Sequence, residues 1–381
     1  MDSRAAARLG SASLAAIAAA SLAGCVGGPP EVRGTQDDPF VLTGVRELTQ
    51  VAQLTGPGAV NDTERAGVAG TDLGSMINLG DRTYFLFGDT FGERDPDSYG
   101  GQGGFWRSNV SAWTTDADPA DGISFAGWAP ADGLGLAEAL VEGDHDANDG
   151  TGEVTKIPTY GFAVEDTLYL SYMSVTHWGD AGKWDANYAR LARSTDRGAS
   201  WTPIDVQWPG DSNFVQIAVA PAREDGVDRL YIWGIPAGRF GGVALMRVAM
   251  TREAVEDIQA YEYFTGLDAA GRPNWSSDPA RATLVVEGTI GELSVMWSDY
   301  LDRWIMTYSD AGNAYIREGL TPWGAWGDAL ELVPGSEYPG LYSPYLNPRY
   351  VANGGRTIYF TLSLWGPYNV FWFSADLVKA G

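Results

Sequence analysis

The sequence predicts an all-β fold, a five-bladed β-propeller around a central substrate channel, on two observations. First, the 381 residues include 49 Gly, 15 Trp and 18 Tyr, and helical periodicity is confined to residues 252–259. The rest alternates between aromatic or aliphatic runs and turns rich in Gly, Asp and Pro, which is typical of strands and hairpins. Second, a unit of two such strands recurs five times. A radial array of blades protects sheet edges and leaves a central channel, so this repeat favours a propeller over a β-sandwich.

Each repeated unit consists of an aromatic and aliphatic strand, a turn, and a strand with more polar alternation. The first strands are predicted at residues 83–91, 167–175, 229–237, 303–309 and 357–365. Their partners are predicted at residues 109–115, 188–195, 242–250, 313–318 and 368–375. A further strand at residues 41–55 precedes the first unit, and we expect it to complete the last blade and close the ring.

The first 24 residues have the layout of an export signal. Two arginines precede an apolar run at residues 14–22, which is shorter than the ~20 apolar residues that a membrane-spanning helix needs. The run ends in Leu22-Ala23-Gly24-Cys25, which resembles the lipobox of bacterial lipoproteins, and Cys25 is the only cysteine. We therefore predict a lipoprotein signal peptide at residues 1–24 and a lipidated Cys25 on a flexible tether that ends at residue 40. The protein is then expected on the extracellular face of the cell membrane; a secretory signal with an accidental cysteine is the alternative.

The formal net charge of −24 repels phosphate backbones, so we do not expect nucleic acid as a partner. An acidic stretch at residues 144–150 has the carboxylate spacing of a Ca²⁺ loop. However, Asp149 stands where an EF-hand needs Gly, and Thr155 stands where it needs Glu. With two histidines in the chain, a His-based metal site is not expected either. The sequence predicts no cofactor, and it leaves open a structural Ca²⁺ site of another type.

Residues 194–201, Ser-Thr-Asp-Arg-Gly-Ala-Ser-Trp, resemble the Asp-box of sialidase-type propeller blades. In such a turn Asp196 caps backbone amides, Gly198 takes the positive-φ position and Trp201 packs under the hairpin. We assign this motif a structural role.

Asp72 and Asp89 are the leading candidates for chemistry, because they flank a predicted hairpin with the turn Gly80-Asp81. If Leu79 pairs with Arg82, antiparallel pairing places the two aspartates directly opposite each other, with Cβ atoms about 4.5–5.5 Å apart. Like charges at that distance raise the pKa of one partner. Carboxyl groups about 5–5.5 Å apart suit a retaining glycosidase. The alternative is that each Asp only caps backbone groups, and a bulge would break the register.

Six further side chains are predicted to contact substrate at the channel mouth. Glu292 begins a strand of the fourth unit and is expected as a third carboxylate, the alternative being a solvated Glu. The other five are two amides near strand ends, a histidine just after a strand and two aromatic rings: Asn109, Gln216, His177, Trp178 and Trp297. Further stacking candidates are Trp106, Tyr342 and Trp365, although propeller cores use the same residue types.

Seven short motifs occur in one order along the chain: Gly70–Gly74, Phe87–Phe91, Ser108–Val110, Ile157–Thr159, Asn187–Ala189, Gly291–Ser294 and Tyr368–Val370. Together they resemble the bacterial family first catalogued as domain of unknown function 4185, which includes the endo-D-arabinanases of glycoside hydrolase family 183. The resemblance covers roughly residues 51–377. It implies a five-bladed propeller that cleaves α-linked D-arabinofuranose chains, as in arabinogalactan and lipoarabinomannan. It also implies that the family's paired catalytic aspartates fall on Asp72 and Asp89.

We therefore hypothesise that residues 41–381 form the catalytic domain of a surface glycoside hydrolase, an endo-D-arabinanase, with an arabinan-type polysaccharide as partner. Asp72 is expected as nucleophile or general base and Asp89 as acid/base, and the sequence leaves the reverse order of the two roles open. One rival is a sialidase-like exo-glycosidase, which needs an Arg cluster and a Tyr nucleophile with a carboxylate partner. The other rival is a non-catalytic glycan-binding propeller on the cell surface.

Overall fold

The computed structural model describes residues 28–381, so the predicted signal peptide and Cys25 lie outside the described residues. Within that range no helix is long and apolar enough to cross a membrane. Helical structure there is limited to one α-helical turn, α1 (Arg252–Val255), and to 3₁₀ turns at Thr63–Ala66, Ile258–Ala260, Pro279–Arg281 and Asn353–Gly355. The predicted all-β class and the short helical stretch at residues 252–259 are both confirmed.

The strands follow one another in five groups, which we number I to V, after a first strand β1 (Leu42–Gln53). Group I contains β2 (Leu73–Leu79), β3 (Arg82–Phe87), β4 (Thr90–Glu93), β5 (Gly104–Arg107), β6 (Val110–Thr114) and β7 (Gly127–Trp128). Group II contains β8 (Thr155–Val164), β9 (Thr167–Trp178), β10 (Trp184–Ser194) and β11 (Thr202–Pro209). Group III contains β12 (Gln216–Glu224), β13 (Val227–Ile235), β14 (Gly241–Ala249), β15 (Glu262–Leu267) and β16 (Pro273–Ser276). Group IV contains β17 (Leu284–Ser298), β18 (Arg303–Asp310), β19 (Asn313–Gly319) and β20 (Leu330–Val333), and group V contains β21 (Leu341–Ala352), β22 (Thr357–Leu364) and β23 (Asn369–Lys379).

Antiparallel pairing joins neighbouring strands inside each group, while β4 and β5 form a separate hairpin inserted in group I. Strand β1 pairs with β23, so the N-terminal strand completes the last group as predicted. Groups III and IV are joined through β14 and β17 into one nine-stranded sheet. The predicted strand pairs all form, but each joins the second and third strands of the group's main sheet, which in group I are β3 and β6. The first strands β2, β8, β12, β17 and β21 were missing from the predicted unit.

These five first strands pack against one another in a closed sequence. Strand β2 contacts β8, β8 contacts β12, β12 contacts β17, β17 contacts β21, and β21 contacts β2. We call the end at which these strands begin the upper end. Because second strands run back toward it, the turns between second and third strands also lie at the upper end: residues 88–109, 179–183, 236–240, 311–312 and 365–368.

The interior is built from aromatic and aliphatic side chains that fill the space between groups. Trp233, Trp304 and Trp372 are among the largest fully buried side chains. Strand β3 is buried from Thr83 to Phe87, because it lies between β2 and β6 and packs on both faces. This explains why it reads as a continuous apolar run and not as an alternating one.

The Asp-box closes the turn between β10 and β11 as predicted. The N–H and hydroxyl groups of Ser200 donate to the Asp196 carboxylate at 2.9 and 2.6 Å. Gly198 has a φ of +87° and donates its N–H to the Ser194 hydroxyl. The turn joins third and fourth strands, so it lies at the lower end, away from both candidate aspartates.

Candidate active site

Strands β2 and β3 pair from their turn as predicted, with Leu79 opposite Arg82. The register then shifts by one residue between Leu73 and Ser75. The cause is a bulge at Gly74, which has a φ of +97°, a conformation that glycine adopts at little cost. Leu73 itself has a φ of +68°, which is uncommon for a residue with a side chain. One such conformation therefore directly follows Asp72 in the chain.

The bulge places Asp72 opposite Gly88 instead of Asp89. The Gly88 N–H donates to the Asp72 carbonyl at 3.2 Å. Further along, Gly70 pairs with Phe91, so Asp89 is the extra residue on its side of the hairpin. The prediction that the two aspartates lie directly opposite each other is therefore wrong, and the spacing inferred from that register loses its basis. Both aspartates nevertheless lie at the upper end.

Asp72 is partly exposed and is held from group V. The Tyr342 hydroxyl donates to Asp72 Oδ2 at 2.9 Å. The other oxygen, Oδ1, is buried and has no hydrogen-bond partner among the described residues. It lies over Gly88, where an added Cβ would stand 2.3 Å from it. Burial raises the pKa of Asp72 from 3.8 to about 7, although the hydroxyl groups of Tyr342 and Tyr368 act in the opposite direction.

Asp89 is 9% exposed and is held from groups I and II. The Trp106 indole N–H and the Thr155 hydroxyl both donate to Asp89 Oδ1, at 2.7 and 2.6 Å. Within the part of the chain that the structure describes, Oδ2 accepts no hydrogen bond. Burial raises the pKa of Asp89 to about 7, the two donors oppose this rise, and the charge of Asp72 adds to it. Two neighbouring carboxyl groups whose pKa values burial raises to about 7 are typical of a catalytic site.

Glu292 lies next to this pair, in an ion pair with Arg239. Arg239 Nε donates to both carboxylate oxygens of Glu292 at 3.0 Å, and the Ser309 hydroxyl donates to Oε2 at 2.6 Å. The Arg239 guanidinium also lies over the Tyr342 ring, 5.2 Å from its centroid. Glu292 is thus connected to Asp72 through Arg239 and Tyr342, as the expected third carboxylate near the pair. It is buried and charge-paired, however, and does not stand free at the channel mouth.

Asn109 does not have the role that the sequence suggested. It is fully buried, and its amide N–H groups donate to the carbonyls of Val141 and Lys156 at 2.7 and 2.8 Å. Its oxygen accepts the N–H groups of Leu140 and Val141, both at 2.9 Å. The prediction that Asn109 binds a substrate hydroxyl is wrong, because the protein uses all of its hydrogen-bonding groups. It holds the segment that leads into β8.

Gln216 is likewise occupied by the protein. It is 4% exposed, and its amide N–H groups donate to the carbonyls of Pro236 and Gly238 at 3.0 and 2.9 Å. These carbonyls belong to the residues just before Arg239 in the turn between β13 and β14. The prediction of Gln216 as a substrate ligand is therefore corrected: its amide positions the turn that carries Arg239.

His177 and Trp178 lie at the upper end of β9, beside an open cavity of about 540 Å³. His177 lines this cavity together with Trp184, Lys183 and Phe240, among others. The Trp178 ring stands at a steep angle to that of Trp184, with centroids 5.6 Å apart. Because Arg239 also lies over Trp184, 5.5 Å from the ring centroid, the cavity adjoins the Arg239–Glu292 pair.

Trp297 lies at the wrong end of the molecule for a substrate contact. It pairs with Trp304 next to the turn between β17 and β18, and its indole N–H donates to Asp299 at 3.0 Å. Glu292 is five residues earlier on the same strand, which corresponds to about 16 Å. The structure therefore does not bring Trp297 to the candidate site with Glu292, because the strand carries it to the lower end.

The acidic stretch at residues 144–150 contacts Trp178 and Trp106 and holds both residues in position. Asn148 exchanges hydrogen bonds with the backbone of Trp178, at 2.6 and 2.9 Å. The His145 ring stacks on the Trp106 ring, with centroids 3.8 Å apart and planes 5° apart. Trp106, suggested above as a stacking residue, therefore has one face covered and its N–H committed to Asp89. Among residues 28–381, no group of three or more His, Cys, Asp or Glu side chains is arranged to hold a metal ion.

Sequence reasoning missed Arg239, Tyr368 and Thr155, and it proposed Tyr342 only as a stacking ring. Arg239 follows the strand β13 in a turn, and nothing in its neighbours signals that it faces Glu292. Thr155 begins β8, one of the first strands that the repeat did not include. Tyr368 begins one of the seven ordered motifs, but the sequence predicted no role for its side chain.

A family model described as "Domain of unknown function (DUF4185)" matches residues 58–374. Among curated proteins, the notoamide biosynthesis cluster protein J′ of Aspergillus versicolor is 28% identical over 320 residues, covering 79% of this chain and 82% of that protein. Protein J of the same name from Aspergillus sp. (strain MF297-2) is 28% identical over 317 residues, covering 79% and 81%. Neither name states a reaction.

Among solved structures, a protein of Bacteroides ovatus ATCC 8483, provisionally described as a hydrolase, is similar with a TM-score of 0.55 and 14% identity. The match covers 81% of this chain and 86% of that chain. At this identity the likeness concerns the fold alone. A GH43_1 enzyme from Xanthomonas citri is matched with a TM-score of 0.46 and 13% identity, over 82% of this chain and 88% of that chain. A likeness at that level carries no argument about this chain.

Proposed function

This chain belongs to the DUF4185 family, and we propose that it is a glycoside hydrolase in which Asp72 and Asp89 perform the chemistry. The observation that carries the proposal is that burial raises the pKa of both carboxyl groups to about 7 at one end of the fold. At neutral pH such a pair can hold one proton, so one group is an acid while the other is ionised. Glycosidic cleavage requires this combination.

We further propose that groups I to V are the blades of a five-bladed propeller, with the substrate channel opening at the upper end. The closed sequence of contacts among the five first strands supports this arrangement. The side chains converge there because Asp72, Thr155, Gln216 and Tyr342 lie at or just before the starts of those strands, while Glu292 lies where β17 begins to pair with β18.

Asp89 is suited to act as the acid. Both of its donors bind Oδ1, so the proton of the neutral form resides on Oδ2, which is free to protonate the leaving oxygen. Asp72 is then the ionised partner, either attacking the anomeric carbon or removing a proton from the attacking water. The Tyr342 hydroxyl stabilises this ionised form by donating to Oδ2.

The substrate we propose is an α-D-arabinofuranosyl polymer of the arabinogalactan or lipoarabinomannan type, cut within the chain. The choice of sugar rests on the resemblance of seven ordered motifs to the endo-D-arabinanases. The charge of the protein is consistent with a neutral glycan, because a net charge of −24 repels uronic acids and sialic acid. The cavity beside His177 and Trp178 adjoins the carboxyl groups through Arg239 and offers room for sugar residues next to the cut.

The structure provides one feature that a sialidase-like mechanism needs, a tyrosine paired with a carboxylate, but its nearby arginines are already paired. Tyr342 with Asp72 is a tyrosine with a carboxylate partner, as that mechanism needs. Recognition of a sialic acid carboxylate also needs free arginines. Arg239 is occupied by Glu292, and Arg94 donates to backbone carbonyls such as Gly100 O at 2.6 Å. Turnover of a sialoside by the purified protein would favour this alternative.

The proposed location of the protein depends on Cys25, which we propose is lipidated after cleavage and anchors the domain outside the membrane. Replacement of Cys25 by Ser is expected to release the protein from the membrane fraction. Retention of the Cys25→Ser protein in that fraction would contradict the anchor.

The experiment that tests the proposed function offers the purified protein three polymers side by side, D-arabinan, L-arabinan and a sialylated glycan. We expect new reducing ends and a ladder of oligosaccharides from D-arabinan only. Tight binding of D-arabinan without any product, at high protein concentration and long times, would instead support a non-catalytic glycan-binding propeller.

A further inference from the structure

Two exposed aromatic side chains lie together beside the candidate active site, and the mechanism above does not use them. Tyr99 is 68% exposed and Trp365 is 45% exposed. Trp365 stands in the turn between β22 and β23 of group V, and Tyr99 stands in the long group I segment between β4 and β5. We call Tyr99 and Trp365 the aromatic shelf. Large rings left in solvent next to a reactive centre are typical of ligand-binding surfaces.

The two segments that carry the shelf are fastened to each other. The Gly100 N–H donates to the Gly366 carbonyl at 3.2 Å. An added Cβ on Gly100 would stand 2.6 Å from the Trp365 indole, so the backbone of one segment lies against the ring of the other. The Trp365 N–H donates to the Gly340 carbonyl at 2.9 Å, which fixes the turn to the start of β21. The shelf is therefore held in place before any ligand arrives, which lowers the entropy cost of binding.

The shelf is continuous with the residues that hold Asp72. The Trp365 ring lies 6.5 Å from the Tyr342 ring and 5.6 Å from the Tyr368 ring, measured between centroids. Tyr342 donates to Asp72, and the hydroxyl of Tyr368 lowers the pKa of the same carboxyl group. One layer of side chains thus separates the shelf from Asp72.

The shelf and the cavity beside His177 lie at different junctions around the ring of first strands. The shelf is formed where groups V and I meet, whereas the cavity is lined by residues of groups II and III. With Asp72 and Asp89 between them, the two surfaces flank the carboxyl groups on either side. This geometry suits a polymer that runs across the upper end and is cut in its interior.

We propose that the aromatic shelf is a subsite that binds a neutral sugar ring of the glycan, through stacking of its C–H face on Trp365 and Tyr99. This proposal rests on the proposed function, because it places the sugar next to the residue that is cut between Asp72 and Asp89. A neutral ring is the fitting occupant, since no cationic group of the shelf is available to pair with an acidic sugar: the nearby Arg94 guanidinium is committed to backbone carbonyls such as that of Gln102.

The test compares the full protein with its Trp365→Ala variant on a D-arabinofuranosyl disaccharide and on a series of longer oligosaccharides. Loss of one aromatic contact is expected to lower kcat/KM on the long substrates about tenfold more than on the disaccharide. Trp365→Phe should restore most of the difference. Trp297→Ala is the matched control, because this tryptophan is partly exposed at the lower end and its loss should affect all chain lengths equally.

One possible result is that the wild type cleaves D-arabinan while Trp365→Ala shows the same dependence of kcat/KM on substrate length. That result would reject the shelf as a subsite, but it would not contradict the proposed function. If the wild type cleaves no glycan, the proposed function is wrong. Whether the shelf binds a sugar is then tested by glycan binding alone. In that case the affinity of the protein for D-arabinan is measured by affinity electrophoresis with and without Trp365→Ala. Weaker binding by the variant supports the subsite, and equal or absent binding by both proteins rejects it.

Discussion

Tyr342 and Asp72 are joined by a hydrogen bond of 2.9 Å although 270 positions separate them in the chain. The bond connects the first strand of group V to the residue that precedes the first strand of group I. It therefore lies where the ring of strands closes and, at the same time, on a carboxyl group with a raised pKa. A contact between the last group and the first therefore also positions a proposed catalytic residue.

Replacement of Tyr342 by Phe should move the acidic limb of the kcat/KM profile to higher pH. The hydroxyl stabilises the ionised form of Asp72, so its loss raises the pKa of Asp72 further and narrows the pH range in which that group is ionised. We expect a decrease in rate of about tenfold below pH 7, the scale of losing one hydrogen bond to a charged group. Tyr308→Phe is the matched control, since its hydroxyl accepts from Arg317 at a distance from the site. An unchanged acidic limb in Tyr342→Phe would rule out Asp72 as the ionised partner.

Replacement of Thr155 by Val should move the opposite limb of the same profile. The Thr155 hydroxyl donates to Asp89 at 2.6 Å, and its removal raises the pKa of Asp89, which then stays protonated to higher pH. If Asp89 is the acid, the basic limb moves upward while the acidic limb moves little. Because the two carboxyl groups titrate as a pair, the comparison of the two variants orders their roles. An exchange of the affected limbs between the two variants would show that the assignment is reversed.

Replacement of Gly88 by Ala should damage catalysis more than stability. An added Cβ would lie 2.3 Å from Asp72 Oδ1, so the carboxyl group has to move. A displacement of about 1 Å can lower a rate on the order of 100-fold. Gly133→Ala is the control, because an added Cβ there meets nothing within 4 Å. Full activity of a folded Gly88→Ala protein would show that the position of Asp72 does not matter.

Asp72 and Asp89 should also lower the free energy of unfolding above neutral pH. Their pKa values are raised from 3.8 to about 7, so the folded protein retains protons that the unfolded chain releases between pH 4 and 7. Stability contributed by the neutral forms is present below pH 4 and is lost as pH rises through 7. Each rise in pKa corresponds to roughly 4 kcal/mol.

Asp72→Asn and Asp89→Asn are therefore expected to have a higher Tm than the wild type at pH 8, with a difference that shrinks toward pH 5. Thermal unfolding at both pH values measures this effect. Asp81→Asn, which changes an exposed residue of the hairpin turn, serves as the control. A lower Tm of both Asn variants at pH 8 would contradict this prediction, because it would mean that the buried, ionised carboxylates stabilise the folded protein.

The strand pairs could be predicted from the sequence because aromatic runs and Gly-rich turns mark hairpins locally. The strand β1 could even be matched with β23 across the whole chain, because a closed ring needs a partner for its last strand. The repeated unit left out the first strands, although β2 was predicted as part of the Asp72–Asp89 hairpin, since residues such as Thr155 and Gln216 begin them and the buried runs that follow carry no period of their own. Their upper ends carry part of the site, so the omission hid the role of Thr155.

The two aspartates were identified from the hairpin, but their spacing was not. The predicted register depended on uninterrupted pairing along β2 and β3, and a bulge at Gly74, which has a positive φ, shifted it by one residue. Asn109 and Gln216 were assigned to substrate because amides near strand ends suit sugar hydroxyls. Only the folded structure shows that nearby backbone groups already occupy their side-chain amides. Arg239, in contrast, was not predicted as a site residue, because its role depends on contacts with Glu292 and Tyr342, which are distant in the sequence.

The central claim is that Asp72 and Asp89 together cleave a glycosidic bond. It is tested most directly by the initial rate at which reducing ends appear when D-arabinan is incubated with the wild type, Asp72→Asn and Asp89→Asn. We predict measurable release by the wild type and rates lower by about 100-fold to 10,000-fold in each folded variant. Release by both variants at close to the wild-type rate would contradict the account.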